Sequence, residues 1–435
     1  MDYTSLIRNA GDKKSRVGII GATKGYGYTL LAQIPKVKLM ELRLISSRHT
    51  DECEKVLLEL GWPKEKLAVC ATKEEIQAAP KDAVLIVSDY RLVPESDITA
   101  LVECTGNSKV SSEVSMAALR KGINVYMCSK ALVNGDQPRN LVDLWSWGKL
   151  LGFEIIAVGK ASEYDFVWTP DTGEMVFTEG PDYPHENIPE LKAFWNYKDR
   201  STLEGRRKLL EKYISVISAD LCEMNLVSNI TGLVPAAKRL SYPVAKTSEL
   251  ADIFIPEEDG GVLKKTGVVD VFCCLRANDE ASFGGGEFII VKCENEAVWD
   301  LLAGKGHVVS RNKKYACLYL PYHIMGVETP ASIILGDFLG IGTHPECRQV
   351  SVMAGVASRD LPAGTVLEVK GHHHSIDGLV PELWEKAEAA EIAPFYLLSG
   401  LTLKRDIKKG EPVTKDAVDL GDGVYVDLYE KGFAL

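Results

Sequence analysis

From Arg16 onward the chain alternates short apolar runs with longer stretches whose apolar residues recur at helical spacing. Val17 to Ile20, Leu42 to Ile45, Val84 to Val87, Ala100 to Cys104, Asn124 to Met127 and Phe153 to Val158 are largely continuous apolar runs, the pattern of strands buried on both faces. Such strands separated by helical stretches predict an α/β fold, a doubly wound parallel Rossmann sheet over residues 1–160. The stretch Asp165 to Asn187 holds Pro170, Gly173, Gly180, Pro181 and Pro184, and is expected to be an irregular excursion between domains.

Helical spacing returns over Leu203 to Asn229, and Val268 to Leu275 and Glu287 to Cys293 have the composition of strands. This mixture predicts a second, α+β domain over residues 161–347, for substrate binding and dimerisation. Gly284-Gly-Gly286, between two strand-like runs, is read as a hairpin turn. From about Val350 the texture changes to short strands with glycine turns, and Ser358-Arg-Asp-Leu-Pro-Ala-Gly-Thr-Val-Leu367 partly repeats at Lys404-Arg-Asp-Ile-Lys-Lys-Gly-Glu-Pro-Val413. A third, small β-rich domain over residues 348–435 follows.

The first strand runs into Gly21-Ala-Thr23-Lys24-Gly25-Tyr26-Gly27, and a helical pattern begins at Tyr28. Glycine belongs there because one residue must turn tightly off the strand, and another must let backbone N–H groups approach a pyrophosphate at the positive end of the next helix. The spacing is Gly-x3-Gly-x-Gly, and the four further β/α units behind it make the loop a dinucleotide site. The second strand ends in Ser46-Ser47-Arg48 rather than in the acidic residue that bonds a free ribose. Two hydroxyls and a guanidinium suit a 2′-phosphate, so NADP is the expected cofactor, with NAD as the alternative.

The fourth strand-like run ends in Glu103-Cys-Thr105-Gly106-Asn107 and the fifth in Cys128-Ser129-Lys130, at the sheet edge where the nicotinamide should lie. A lysine there can polarise a substrate carbonyl or pass a proton once its pKa is lowered by burial or by the cationic ring. His323, near neutrality by nature, is a second acid–base candidate. His372-His373-His374 is read as a solvated loop.

Composition then narrows the function classes. A chain of 435 residues with 46% apolar and 26% charged residues is a folded protein of two or three domains. A net charge of −11 without a long basic tract excludes a nucleic-acid partner. The polar Met1 to Arg16 lacks the apolar core of a secretory signal, and no apolar run reaches membrane-spanning length, so a cytoplasmic protein with no membrane partner is expected. Ten scattered cysteines without CxxC spacing read as reduced thiols, and no metal site is expected.

Gly135-Asp-Gln-Pro138, Leu151-Gly-Phe-Glu-Ile-Ile-Ala-Val-Gly-Lys160, Asn229-Ile-Thr-Gly-Leu233, Gly260-Gly-Val-Leu263, Leu318-Tyr-Leu-Pro-Tyr-His323 and Leu403-Lys-Arg-Asp-Ile407 stand in this order along the chain. In them the chain resembles the homoserine-dehydrogenase-like NAD(P)-dependent oxidoreductases that end in a SAF domain, a group that includes the 1-deoxy-D-xylulose 5-phosphate reductoisomerase-like enzymes. The resemblance implies a C-terminal β-clip module that gates a site or forms a dimer, and a small polyhydroxylated or phosphorylated carbonyl substrate. It also implies a homo-oligomer, with a dimer preferred. It makes Lys160 a contact for a phosphate or carboxylate and keeps Glu223 as a site residue. Two departures stand out: the segment that relatives carry between Lys130 and Gly135 is missing, and Ala219 replaces an expected lysine. A nucleotide-binding regulator or carrier without net redox activity, and an isomerase or lyase that recycles its nicotinamide internally, are the alternatives.

Overall fold

A computed structural model describes residues 3–128, 136–179, 182–292, 294–342, 347–371 and 373–435. It divides into two compact units. The first comprises residues 1–139, 324–345 and 421–431, and the second comprises 140–323, 346–420 and 432–435.

After helix α1 (Tyr3–Ala10), the first unit is built as β1 (Ser15–Ile20), α2 (Gly25–Gln33), β2 (Met40–Ser46), α3 (Thr50–Glu59), β3 (Leu67–Cys70), α4 (Lys73–Ala78), β4 (Val84–Val87), β5 (Ala100–Glu103), α5 (Ser108–Arg120) and β6 (Asn124–Met127). All six strands are parallel, in the order β3-β4-β2-β1-β5-β6. The expected α/β fold is present. β3 is an edge strand whose first three residues are exposed or half-buried, which is why hydrophobic pattern alone passes over it. One sheet face buries Val17, Ile19, Ile45, Ile86 and Val102 against Leu30 and Leu31 of α2. The other buries Ile20, Leu44, Leu85 and Leu101 against Val114 and Ala118 of α5. Burial on both faces accounts for the continuous apolar runs.

In the second unit α6 (Asp136–Leu150) leads into β7 (Glu154–Trp168), β8 (Glu174–Phe177) and β9 (His185–Asn187). Then come α7 (Arg200–Leu210), α8 (Ser218–Thr231), β10 (Val234–Pro235), β11 (Val244–Ala245), α9 (Leu250–Ile253), β12 (Val268–Ala277), β13 (Glu287–Lys292), α10 (Glu296–Gly304) and β14 (Tyr315–Leu320). The mixed sheet runs β10-β12-β7-β13-β14. Along β12, β13 and β14 alternate positions face opposite sides. Val158, Phe166, Val271 and Ile289 pack with Leu221 and Met224 of α8 on one side, and Ala157, Phe272, Phe288 and Ile290 pack with Leu250 and Phe254 on the other.

Four expectations are corrected. The run at 153–158, expected in the first sheet, is the start of β7 and the centre of the second. Residues 165–187 are not an irregular excursion, since β7 continues to Trp168 and pairs antiparallel with β8, which pairs with β9. Gly284 to Gly286 do not close a hairpin, because β12 and β13 lie on opposite sides of β7. Helix α11 (Thr329–Leu339), expected with the substrate domain, belongs to the first unit, where Ile333 joins the sheet core and Asp337 accepts hydrogen bonds from Thr99, Asn124 and Tyr126 at 2.8–2.9 Å.

The C-terminal segment holds β15 (Ser351–Ala357), β16 (Val369–Lys370), β17 (Ser375–Ile376) and β18 (Leu379–Glu385), and the chain closes with α12 (Val424–Ala434). Its repeated sequence is a structural pseudo-dyad. Leu361 and Ile407 exchange both backbone hydrogen bonds at 2.9 Å, the Ala363 amide donates to Asp406, and the equivalent Lys409 amide donates to Asp360. Among the described residues no helix is long and apolar enough to cross a membrane.

Candidate functional site

The parallel register brings Ile20, Ser46, Val87, Glu103 and Met127 to one edge of the first sheet. Chain order reverses across β1, with β2 on one side and β5 on the other, and ligands of doubly wound sheets bind at such a reversal. Gly21 turns there with φ +81°, and a Cβ on it would lie 2.8 Å from the Cys104 carbonyl oxygen. A Cβ on Gly27 would lie 2.6 Å from the Gly21 oxygen, so Gly27 sets the close approach of α2 to the turn. Gly25 is exposed at the first position of α2, with φ +58° and open space where a Cβ would stand. The N-cap, Lys24, makes no side-chain hydrogen bond to the helix, and the positive end of the α2 dipole lies at this edge.

A cavity of about 710 Å³ opens at this edge. Of the residues expected to hold a dinucleotide, Gly21, Thr23, Lys24, Ser47, Arg48, Thr105 and Asn107 line it. Lys24, Arg48 and Arg91 bring three positive charges to the lining against the single carboxylate of Asp89, a balance suited to phosphate. Tyr26 turns elsewhere, its hydroxyl 2.5 Å from Thr329 Oγ1. Gly106 supplies a left-handed turn, φ +68°, between Thr105 and Asn107. Ser129 and Lys130 lie outside the described residues, as does His372.

Glu103 is fully buried at the end of β5, where it accepts bonds from the Thr105 amide at 2.8 Å and from the hydroxyls of Thr105 and Ser111. Burial pushes its carboxyl pKa up, and the donors from Ser111 and Thr105 oppose the rise. It ties the turn after β5 to the first residues of α5. Asn107 caps that helix, its side chain accepting from the Val110 amide at 3.1 Å.

Sequence reasoning missed Ser88, Asp89, Tyr90 and Arg91, which follow β4 and line the same cavity. Asp89 accepts from Arg91 Nε and Nη2 at 2.8–3.1 Å, and this pairing holds its carboxyl below the usual range. The signal was present, since every strand end of a parallel sheet faces the ligand edge, but the run Val84 to Val87 was read for fold alone.

In the second unit Lys160 is not at a strand terminus. It sits within β7, fully buried, and donates to Asp220 at 2.9 Å and to Glu223. The carboxylates it meets are those of α8, three residues apart and therefore on one helical face. Ser162 and Tyr242 donate to the other oxygen of Asp220 at 2.7 and 3.1 Å. Burial pulls the Lys160 pKa down, and the charges of Asp220, Glu223 and Glu163 more than reverse that, leaving it raised. His323 is half-buried beyond β14. His373 and His374 are not in a solvated loop: His373 pairs with Glu179 and lies 3.5 Å from Glu163, and His374 Nδ1 is 3.2 Å from the Tyr396 hydroxyl. Among the described residues no group of His, Cys, Asp or Glu is placed to hold a metal ion, and the cysteines are free thiols.

Residues 135–329 match the family model described as "Oxidoreductase DRL, catalytic domain". That central part of the chain is therefore similar to an oxidoreductase catalytic domain. The matched region contains Lys160, Asp220, Glu223 and His323. Among solved structures, a scyllo-inositol dehydrogenase from Lactobacillus casei is 16% identical over 37% of this chain, with a TM-score of 0.22, and the chain spans about half of it, 48%. A myo-inositol 2-dehydrogenase from Lactobacillus plantarum is 12% identical over 77% of this chain and 91% of that one, with a TM-score of 0.34. The Lactobacillus casei scyllo-inositol dehydrogenase with bound NAD(H) and scyllo-inositol is 11% identical over 75% and 87%, with a TM-score of 0.32. No curated protein matches the chain.

Proposed function

We propose that this protein is an oxidoreductase that takes NADP, with NAD as the alternative, and acts on a small polyhydroxylated or phosphorylated carbonyl compound. One observation carries the reading: the cation-lined cavity at the carboxyl edge of the parallel sheet, where Gly21 and Gly27 admit backbone that any Cβ would block. Bound there, the dinucleotide supplies a hydride donor or acceptor.

The chain's own residues supply the rest. The first amides of α2, with Thr23 and Lys24, hold the pyrophosphate, and Gly25, Tyr26 and Gly27 fix the helix that presents them. Ser47 and Arg48 hold the adenosine end. Thr105, Gly106, Asn107 and Ser129 shape the nicotinamide end, with the Thr105 turn braced by Glu103. Lys130 polarises the substrate carbonyl or moves its proton. Lys160 is sealed by its own carboxylates, so its role is to position Glu223 and Asp220, and His323 is the further acid–base candidate. The narrower reading, a reductoisomerase-like or homoserine-dehydrogenase-like reaction in a cytoplasmic homodimer with the β-clip segment as gate, rests on the motif resemblance alone.

Purified protein mixed with NADPH and a panel of sugar phosphates and keto acids tests this at the reduced-nicotinamide absorbance band. A net, substrate-dependent decrease supports a dehydrogenase. A transient decrease favours internal recycling, and cofactor binding with no change against any compound would point to a regulator.

A further inference from the structure

β2 and β4 are neighbours in register, Ser46 opposite Val87, and the Ser47 amide donates to the Val87 carbonyl at 3.2 Å. The turns at 47–48 and 88–91 therefore lie side by side on the cavity rim, at the adenosine end of a doubly wound site. Their two arginines differ. Arg48 is exposed and makes no hydrogen bond or ion pair among the described residues. The Arg91 side chain is 74% exposed and yet fixed: Nε donates to both oxygens of Asp89 at 2.9 and 3.1 Å, and Nη2 donates to Oδ2 at 2.8 Å. Asp89 Oδ1 also accepts the Arg91 amide at 3.0 Å, closing a ring within three residues.

We propose that Arg91, anchored by Asp89, is the second half of a 2′-phosphate site whose first half is Arg48. The proposal rests on the nucleotide reading of the cavity. An acidic side chain at this edge could instead accept the hydroxyls of a free ribose, which is how such sites choose NAD. Here both carboxylate oxygens already hold two donors each from Arg91, and that occupancy decides against the ribose role. What the pair presents is the remaining edge of a guanidinium held in one pose, so the rotamer freedom that an arginine loses on binding is spent before the ligand arrives. A phosphate monoester takes a fixed fork on one side and the mobile Arg48 on the other with charge-assisted bonds. A ribose hydroxyl would leave Arg48 without an anion and offer the free edge of Arg91 only a neutral acceptor.

The test is calorimetric titration of the full chain with 2′,5′-ADP and with 5′-AMP, which differ only in the phosphate in question. Wild type should prefer 2′,5′-ADP by about tenfold or more, and Arg91→Ala should lose about ten- to a hundredfold for 2′,5′-ADP while changing AMP by less than about twofold. Arg91→Lys should recover only part, because an ammonium lacks the fork. Asp89→Asn should weaken 2′,5′-ADP several-fold by releasing the guanidinium. Equal losses for the two ligands in Arg91→Ala, or none, would overturn the clamp. Wild type binding both ligands equally would also overturn it and leave the nucleotide site standing, whereas wild type binding neither would remove the nucleotide reading itself.

Discussion

Replacing Lys160 with methionine tests whether the buried cluster is an ion network that holds the second unit together. Methionine keeps most of the side chain's length and apolar volume, so the change is electrostatic rather than a cavity. In the native protein one ammonium bridges Asp220 and Glu223, with all three side chains 0–2% exposed. Without it Asp220 keeps the hydroxyls of Ser162 and Tyr242, and Glu223 loses its ammonium. Removing one partner from a buried pair costs about 3–5 kcal/mol, and at about 2–4 °C per kcal/mol for a unit of 150–250 residues the melting temperature should fall by about 6–20 °C. The pH dependence carries a sign. In wild type the raised Lys160 pKa means its contribution is fully present below the unfolded value near 10.4 and is lost only as pH rises through the folded one, so pH 5–8 leaves it untouched. In Lys160→Met a buried carboxyl with raised pKa takes a proton more readily folded than unfolded, so the deficit should shrink as pH falls toward 5. Adding Glu223→Gln should recover part of the loss. Six of the seven tryptophans lie in the second unit, so fluorescence-detected guanidinium unfolding reports on it. A Lys160→Met midpoint matching wild type at pH 7.5, or a deficit independent of pH, would refute the reasoning.

Three further outcomes are expected. Arg48→Glu should weaken NADP by about ten- to a hundredfold and NAD much less, since the charge-assisted bond it removes is worth about 1.5–3 kcal/mol; equal losses in a binding titration would clear Arg48 of discrimination. Gly27→Val should abolish dinucleotide binding, because its Cβ would meet the Gly21 oxygen at 2.6 Å and push α2 off the turn, and retained affinity in a fluorescence titration would show the loop is not the cradle. Lys130→Met should keep cofactor affinity and lower turnover about a hundredfold, the usual share of a positioned acid or base; near-normal kcat on an identified substrate would pass the role to His323.

The glycine turn after β1 was legible because its geometry is local: a strand, a turn and a helix start follow one another within Val17 to Gln33. Arg91 was not, because its meaning depends on β4 lying next to β2, a neighbour relation that sequence order hides behind β3. The same limit explains β7. A largely apolar run such as Phe153 to Val158 looks alike in either sheet, and only its partners β12 and β13 place it. Helix α11 follows β14 in the chain but packs in the first unit, and no periodicity records which sheet an amphipathic helix will cover. Glu223 was singled out through the resemblance, whereas Asp220, one turn earlier on the same face of α8, was not. The histidine run was read as solvated because its carboxylate partners, Glu163 and Glu179, lie about two hundred residues away.

The central claim is that the cavity after β1 holds a nicotinamide dinucleotide. Titration of the full chain with NADPH, followed by the change in nicotinamide fluorescence and competed with 2′,5′-ADP, tests it most directly. The account predicts saturable binding at one site per chain, displaced by 2′,5′-ADP and lost in Gly27→Val. No saturable signal with NADPH or NADH in folded wild-type protein would contradict it.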